Sequence, residues 1–140
     1  MRNVLVPVDG SPASLRAVRY LMKRISEGDD IRIHLLNVQP TLPRAVTDFI
    51  DAGEIRGYRR DESEKALKKA RDMLSKEGIK YESATGVGEV AESAVKYCKS
   101  NKCEEIVIGT RGFSPVKNIL LGSSTTKLLH LSPVPVTLVK

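Results

Sequence analysis

The chain has 140 residues, of which 41% are apolar and 29% are charged, and its formal net charge is +6 at neutral pH. This length and apolar content predict one domain, residues 1–140, large enough to build a sheet covered by helices. No apolar run approaches the length of a membrane span and no signal-peptide pattern precedes the first predicted strand, so we expect a cytoplasmic protein that does not associate with membranes.

The excess of basic residues does not by itself predict nucleic-acid binding. Much of it lies between Arg59 and Lys80, where basic and acidic residues such as Glu64 and Lys68 alternate at helical spacing. That pattern is typical of a solvated helix face. The chain has no tryptophan, two phenylalanines and four tyrosines, which is too few for a base-stacking platform. We therefore expect no nucleic-acid partner.

The first part of the chain predicts two strands with a helix between them. Val4 to Val8 is a nearly continuous apolar run, which is typical of a strand buried on both faces of a parallel sheet. Ser11 can cap the following helix, which is predicted from Pro12 to Ser26 because apolar residues recur there at spacings of three and four. Ile31 to Val38 predicts the second strand.

The middle of the chain is predicted unevenly. The stretch from Thr41 to Gly57 is irregular and yields no prediction of its conformation. A long charged helix is predicted from Tyr58 to Lys76, followed by a strand from Ile79 to Thr85 whose polar residues suggest a sheet edge. Glu89 to Lys99 predicts the next helix.

Three further elements complete the pattern. Ile106 to Ile108 predicts a buried strand, Ser123 to Leu131 a short helix, and Val134 to Val139 a fifth strand. Strands alternate with helices throughout the chain. The predicted fold class is therefore α/β, with a mainly parallel sheet.

A glycine-rich stretch after the fourth strand predicts a phosphate site. Gly109 and Gly112 follow the strand, and Gly122 precedes a helix that opens with Ser123 and Ser124. Glycines allow backbone N–H groups to approach a ligand closely. A helix that opens with serine or threonine offers an anion both free N–H donors and hydroxyl groups.

The spacing Gly109-x2-Gly112-x9-Gly122-Ser123-Ser124 resembles the ATP-binding loop of the universal stress protein family. The opening Val4–Ser14 is similar to that family's first strand and turn, and the closing Ser132–Lys140 to its last strand. The resemblance implies a single-domain, open, doubly wound, five-stranded parallel sheet of order 3-2-1-4-5 with helices on both faces. Ligands of such sheets bind where the winding reverses, here between strands one and four.

The resemblance also implies roles for residues around this point. Pro7, Val8 and Asp9 match positions near the nucleoside, and Val38 matches a position whose backbone meets adenine. Because a carboxylate repels phosphate, we expect Asp9 to face the ribose hydroxyls or the base; the alternative is that it caps the next helix. Arg111 lies inside the loop and could neutralise phosphate charge, although a solvated side chain is an equal alternative.

Other motifs are weaker or absent. Gly86 to Ala91 has the outline of a dinucleotide fingerprint, but it lies in the third strand–helix unit and lacks the acid expected after the next strand. Gly88, together with Ala91 and Glu92, better resembles the family's Gly-x-Pro-Ala-Glu turn, with Val90 in place of proline. No Walker A loop, G-x-S-x-G or H-E-x-x-H pattern occurs, and no general base or nucleophile is evident in the glycine-rich stretch. No catalytic residue is therefore assigned.

The cysteines and histidines predict no metal site. Cys98 and Cys103 are too few and too poorly spaced for a zinc site or a disulfide scaffold, so we expect reduced packing thiols. His34 and His130 are far apart in sequence and have no cluster of acidic residues nearby. Both are interpreted as structural or surface residues.

The expected function is that of an ATP-binding universal stress protein, a nucleotide-dependent switch or adaptor in the stress response. Binding is favoured over efficient turnover. ATP is the expected ligand, with AMP and ADP as alternatives and with Mg2+ held mainly by the phosphates. Two alternatives stay open: a slow Mg-dependent ATPase or phosphotransferase, and a nucleotide-free dimeric interaction module.

The last strand predicts a protein partner. Pro133 and Pro135 suit an edge strand, because a central strand would need their missing N–H donors. An edge with apolar residues and no inward charge invites pairing with another copy of the chain. The family resemblance also implies a homodimer joined through Val134–Val139.

Overall fold

The computed structural model describes residues 1–110 and 122–140. Within these ranges the strands are β1 (Arg2–Pro7), β2 (Ile31–Gln39), β3 (Tyr81–Val87), β4 (Glu105–Gly109) and β5 (Val136–Val139). The helices are α1 (Pro12–Ser26), α2 (Arg44–Thr47), α3 (Ala52–Lys76), α4 (Val90–Ser100) and α5 (Ser123–Leu131). None of the described helices is long and apolar enough to cross a membrane.

The strands form one sheet in the order β3-β2-β1-β4-β5, and every pair is parallel. This confirms the predicted α/β class, the strand order and the doubly wound topology. β1 lies at the centre, where Val4, Leu5 and Val6 are fully buried. A strand covered on both faces needs apolar residues at every position, which explains the unbroken apolar run.

Helices cover both faces of the sheet and create two hydrophobic clusters. Val4 and Val6 of β1 point into the cluster formed with α1 and α3, whereas Leu5 points into the cluster formed with α4 and α5. This division follows from the alternation of side chains along a strand. Cys98 and Cys103 are free thiols buried in the second cluster, as predicted for packing residues.

Helix α3 begins at Ala52, so its predicted start at Tyr58 was wrong. Asp51 caps the helix, because its side chain accepts a hydrogen bond of 3.0 Å from the N–H of Gly53. Ile55 is the only buried residue of the first turns. With one buried apolar residue there, the periodic pattern that identifies a helix is missing. The stretch Thr41–Gly57, for which no conformation was predicted, also contains α2.

The two edge strands differ from their predicted bounds. β3 runs from Tyr81 to Val87 and is largely exposed, as expected for an edge. β5 begins at Val136 rather than Val134, because Val134 lies in a turn in which its N–H and carbonyl both bond the Ser132 hydroxyl. The strand that lies at the other edge of the sheet is therefore shorter than predicted.

Candidate functional site

A crevice opens at the carboxyl ends of β1 and β4. The ladder between these strands ends at Leu5 and Ile106, whereas the ladder between β1 and β2 continues to Pro7 and Leu36. The space beyond has a volume of about 220 Å³. It lies where the winding of the sheet reverses, the usual place for a ligand in an open α/β sheet.

The predicted site residues that the structure describes all line this one crevice. They are Pro7, Val8, Asp9, Val38, Gly109, Gly122, Ser123 and Ser124. Arg111 and Gly112, the other two, lie outside the described residues. The fold thus brings together positions about a hundred residues apart in sequence. Further lining comes from Ser11, Ala13, Ser14, Leu36, Asn37, Val90, Ile108, Thr110 and Thr125.

One part of the lining is the start of α5. Gly122 is its N-cap, with the extended backbone angles φ −59° and ψ 156°, and as a glycine it contributes no side-chain cap hydrogen bond. The first bond of the helix runs from the N–H of Thr126 to the carbonyl of Gly122, at 3.0 Å. The N–H groups before it point out of the helix start, where the helix dipole is positive. With the exposed hydroxyls of Ser123 and Ser124, they suit an anion.

Asp9 is the one carboxylate among the described residues that line the crevice. Its Oδ1 accepts a hydrogen bond of 2.9 Å from the N–H of Ser11. The N-cap of α1 is Ser11 and not Asp9, because the Ser11 hydroxyl accepts the N–H of Ser14 at 3.2 Å. Asp9 therefore shapes the turn before the helix while its side chain lines the crevice.

The charge of Asp9 follows from the same contacts. Partial burial raises the pKa of its carboxyl, but hydrogen bonds from the side chain and backbone of Ser11 and from the side chain of Ser14 outweigh burial. The net effect lowers the pKa below the ordinary value of an aspartate. The crevice thus carries a fixed negative charge beside β1 at neutral pH.

Apolar side chains line another part of the crevice. Leu36 and Val38 come from the end of β2, and Val90 is the first residue of α4. Leu36 is buried, whereas Val38 and Val90 are half-buried and so still present surface. An apolar wall with a few polar groups placed around it is the usual composition of a small-molecule site.

Gly109 has a structural role that the sequence did not reveal. A β-carbon at this position would overlap the carbonyl group of Ala13 in the first turn of α1. The glycine therefore allows the end of β4 to pack directly against α1. Its interpretation as a position for close ligand approach alone was incomplete.

Asn37 is a lining residue that the sequence analysis missed. It is 3% exposed, and its Nδ2 donates a hydrogen bond of 2.7 Å to the carbonyl oxygen of Val8. The one signal in the sequence is an amide in an otherwise apolar stretch of β2. Such a residue needs a buried partner, but sequence alone does not identify the partner.

The sheet order and the position of the crevice are those expected for the family that the sequence resembles. The profile of the universal stress protein family matches residues 1–140. This chain belongs to the universal stress protein family. Family membership accounts for both the doubly wound sheet and the glycine-rich stretch between β4 and α5.

Individual universal stress proteins are similar to nearly the whole of this chain. Universal stress protein MJ0531 of Methanocaldococcus jannaschii is 28% identical, and the match covers 99% of this chain and 82% of that protein. The solved structure of MJ0577 from the same organism has a TM-score of 0.80 and 26% identity, covering 99% and 95% of the two chains. A family protein from Arabidopsis thaliana, solved with AMP bound, has a TM-score of 0.73 and 19% identity, covering 100% and 92%.

Proposed function

We propose that this universal stress protein binds an adenine nucleotide, in the first place ATP, in the crevice between β1 and β4. The observation that carries the proposal is the composition of this single crevice: an apolar wall, an ionised carboxylate and a helix start whose N-cap is a glycine together line it. Each feature suits one part of a nucleotide. The apolar wall suits the flat base, the carboxylate suits the ribose hydroxyls, and the helix start suits the anionic phosphates.

The lining suggests an orientation for the nucleotide. The base lies against Leu36, Val38 and Val90, and the ribose hydroxyls donate to Asp9. The phosphates lie over Gly122 and the first residues of α5, where N–H donors and the helix dipole stabilise negative charge. The volume of about 220 Å³ is somewhat below the roughly 300 Å³ of typical small-molecule sites, so the phosphates extend along the mouth of the crevice.

Mg2+ is proposed to reach the site with the nucleotide. Magnesium is usually bound through substrate phosphates and one or two carboxylates, with water as its remaining ligands. The described lining offers one carboxylate, Asp9, which is already bonded to Ser11. The nucleotide phosphates and water would therefore supply most of the ligands of Mg2+, because the described lining supplies few.

The structure with AMP bound is that of the Arabidopsis relative, and at 19% identity it establishes the shared fold. It supports the proposal by showing that this fold accommodates an adenine nucleotide. For this chain the lining of the crevice itself supports nucleotide binding. The choice of ATP over AMP or ADP rests on the glycine and serine spacing of the loop.

We further propose that the nucleotide acts as a switch in a cytoplasmic stress response and is not efficiently turned over. Apart from Asp9, which is already bonded to Ser11, the described lining contains hydroxyls and the Asn37 amide but no histidine, cysteine or lysine, so it offers few of the commonly used acid–base groups. Ser123 and Ser124 are exposed hydroxyls without a described base bonded to them. A bound nucleotide instead contributes binding energy that stabilises the folded protein.

The direct test is mass spectrometry of the small molecules released when freshly purified protein is denatured. We expect stoichiometric ATP, or ADP or AMP, together with an ATP-dependent rise in melting temperature. Protein that releases no nucleotide and whose melting temperature ATP does not change would contradict the proposal. Sustained phosphate release over many turnovers would contradict the binding role and favour an enzyme.

A variant with an added negative charge tests the placement of the phosphates. Ser124→Asp adds a negative charge at the start of α5, where the helix dipole favours it, so the fold should be retained. The same charge should repel the phosphates and weaken ATP binding by about tenfold or more. Ser100→Asp is the control, because it adds the same charge at the end of α4, at the opposite end of the sheet from the crevice. Equal ATP affinity in the two variants would contradict the orientation.

The second proposed partner is another copy of the chain. β5 lies at one edge of the sheet, so one side of its backbone has no neighbouring strand within the described residues. Leu138 of β5 and Leu129 and Leu131 of α5 are exposed at 37%, 41% and 44%. An unpaired edge strand that carries an exposed leucine favours pairing with an identical edge. We therefore propose a homodimer joined through the C-terminal strand.

A further inference from the structure

A side-chain hydrogen bond holds the end of β1 to β2, in addition to the backbone hydrogen bonds between the two strands. The N–H of Val8 donates to the carbonyl of Leu36 at 2.8 Å, just beyond the last residue of β1. The carbonyl of Val8 then accepts from the Asn37 side chain at 2.7 Å. The backbone N–H and the backbone carbonyl of Val8 are thus both directed towards β2 and away from β4.

The orientation of the Asn37 amide is determined by its partners. The carbonyl of Val8 can only accept, so the group facing it must be Nδ2. The Oδ1 accepts a hydrogen bond of 2.8 Å from Nε2 of Gln39, which holds the amide in place. Because Asn37 is 3% exposed, water cannot easily replace these bonds.

The opposite side of the crevice is held in a comparable way. The N–H of Thr110 donates to the carbonyl of Val139 at 2.8 Å, which draws the end of β4 towards β5. The carbonyl of Thr110 accepts from Nη2 of Arg16 in α1 at 2.7 Å. The ends of the two strands therefore each bond to an outer neighbour, and the space between them stays open.

We propose that Asn37 is a positioning residue that keeps the nucleotide crevice open by holding the Val8 carbonyl against β2. The inference rests on the proposed nucleotide binding and adds a residue to which the family resemblance assigns no role. When Asn37 cannot donate, the Val8 carbonyl loses its buried partner and the Val8–Asp9 backbone is free to move towards β4. The positions of Pro7, Val8 and Asp9 against the nucleoside then change.

The test compares ATP affinity, measured by calorimetry between pH 5 and 8, in wild type, Asn37→Asp and Asn37→Leu. At pH 8 the ionised aspartate cannot donate, and its charge repels the Val8 carbonyl, so we expect affinity about tenfold weaker than wild type. Leucine has no donor at any pH. A protonated carboxyl can donate, and burial raises the pKa of a carboxyl, so Asn37→Asp should recover affinity relative to wild type as the pH falls. Asn37→Leu should not recover.

Asn101→Asp is the matched control. Asn101 caps the end of α4, where its Nδ2 also donates to a carbonyl, that of Tyr97, at 3.0 Å. The control loses the same kind of bond at the opposite end of the sheet, so its ATP affinity should equal that of wild type at every pH. If Asn37→Asp does not fold, Gln39→Leu removes only the bond that orients Asn37, and it should weaken ATP binding by about threefold.

The possible outcomes separate the two proposals. If wild type binds no nucleotide, the proposed function and this inference both fail. If wild type binds ATP and Asn37→Asp binds it equally well at pH 8, only the role of Asn37 is overturned. Weaker ATP binding by Asn37→Asp that does not recover at low pH would also overturn it, because hydrogen-bond donation from residue 37 would then not determine the affinity.

Discussion

Gly109 lies against the backbone of Ala13, with no space between them for a β-carbon. The contact joins the end of β4 to the first turn of α1, and both residues line the crevice. α1 can therefore approach β4 closely at this point. The glycine is required for the packing of the protein as well as for any ligand.

We expect Gly109→Ala to destabilise the fold in the absence of any ligand. The added methyl group would force β4 and α1 apart, at a cost of about 1–3 kcal/mol in the free energy of unfolding. Chemical denaturation without nucleotide measures this. Gly57→Ala is the control, because its β-carbon would meet only a flexible arginine end at 3.9 Å within α3, and it should stabilise by about 0.5–1 kcal/mol. Unchanged stability of Gly109→Ala would contradict the packing argument.

His34 of β2 is a buried histidine whose two ring nitrogens both have polar partners. Its Nε2 contacts Oδ1 of Asn3 at 3.1 Å, and its Nδ1 contacts the hydroxyl of Tyr97 at 2.8 Å. Asn3 directs its Nδ2 to the carbonyl of Asn101, so its Oδ1 must accept from His34. The neutral ring therefore carries its proton on Nε2 and accepts the Tyr97 hydroxyl at Nδ1.

This environment predicts a pH dependence of stability. Burial lowers the pKa of His34 below its ordinary value, an effect that Glu82 opposes and Arg32 reinforces. At a pH below about 6.5 the unfolded chain binds a proton at this residue that the folded chain does not, so stability falls as the pH drops through that value. His34→Gln should show a smaller fall between pH 7 and 5 in denaturation experiments. An identical pH profile would contradict the assignment.

Glu105 is a buried carboxylate that joins several elements at the amino-terminal end of the sheet. Its oxygens accept hydrogen bonds from Arg24 at 3.1 Å, from Arg2 at 3.3 Å and from Thr137 at 2.7 Å. The residue is 8% exposed. One side chain thus connects α1, β1, β4 and β5.

Glu105→Gln should destabilise the protein. Glutamine cannot balance the charge of Arg24, which is half-buried and keeps its pair with Asp29 at 2.8 Å, and losing charge-assisted hydrogen bonds of this kind costs about 1.5–3 kcal/mol. Asp72→Asn is the matched control, because Asp72 pairs with Lys68 at 2.8 Å on the exposed face of α3, where ion pairs contribute roughly 0–1 kcal/mol. Equal midpoints in urea for the two variants would show that the Glu105 cluster contributes no more than a surface pair.

The proposed homodimer is best tested at Leu138. Val136 packs against the second hydrophobic cluster, so a charge there would disturb the fold itself. Leu138→Lys places the charge on a side chain that is 37% exposed and should shift the sedimentation coefficient at micromolar concentration from dimer to monomer. Val87→Lys is the control on β3, the opposite edge, and should leave the dimer unchanged. A monomeric wild type would contradict the proposal.

Local signals predicted some elements well. The bounds of α1 were predicted to the residue because Ser11, Pro12 and Gly28 determine its ends through their own backbone preferences and hydrogen bonds. The start of α3 was missed because Asp51 caps a stretch with almost no apolar periodicity. Strand bounds were less accurate, because a strand ends where its neighbour ends, and that depends on the rest of the sheet.

The sequence by itself determined the α/β class, the alternation of strands and helices and, through the glycine and serine spacing, the family to which the chain belongs. These features depend on residues that are neighbours in the chain. Only the tertiary structure decided that the end of β4 packs on Ala13 because residue 109 is a glycine, and that Asn37 holds the carbonyl of Val8. Each of those contacts joins atoms from separate elements, and the partner of a buried polar group or the space beside a glycine exists only once the elements have packed.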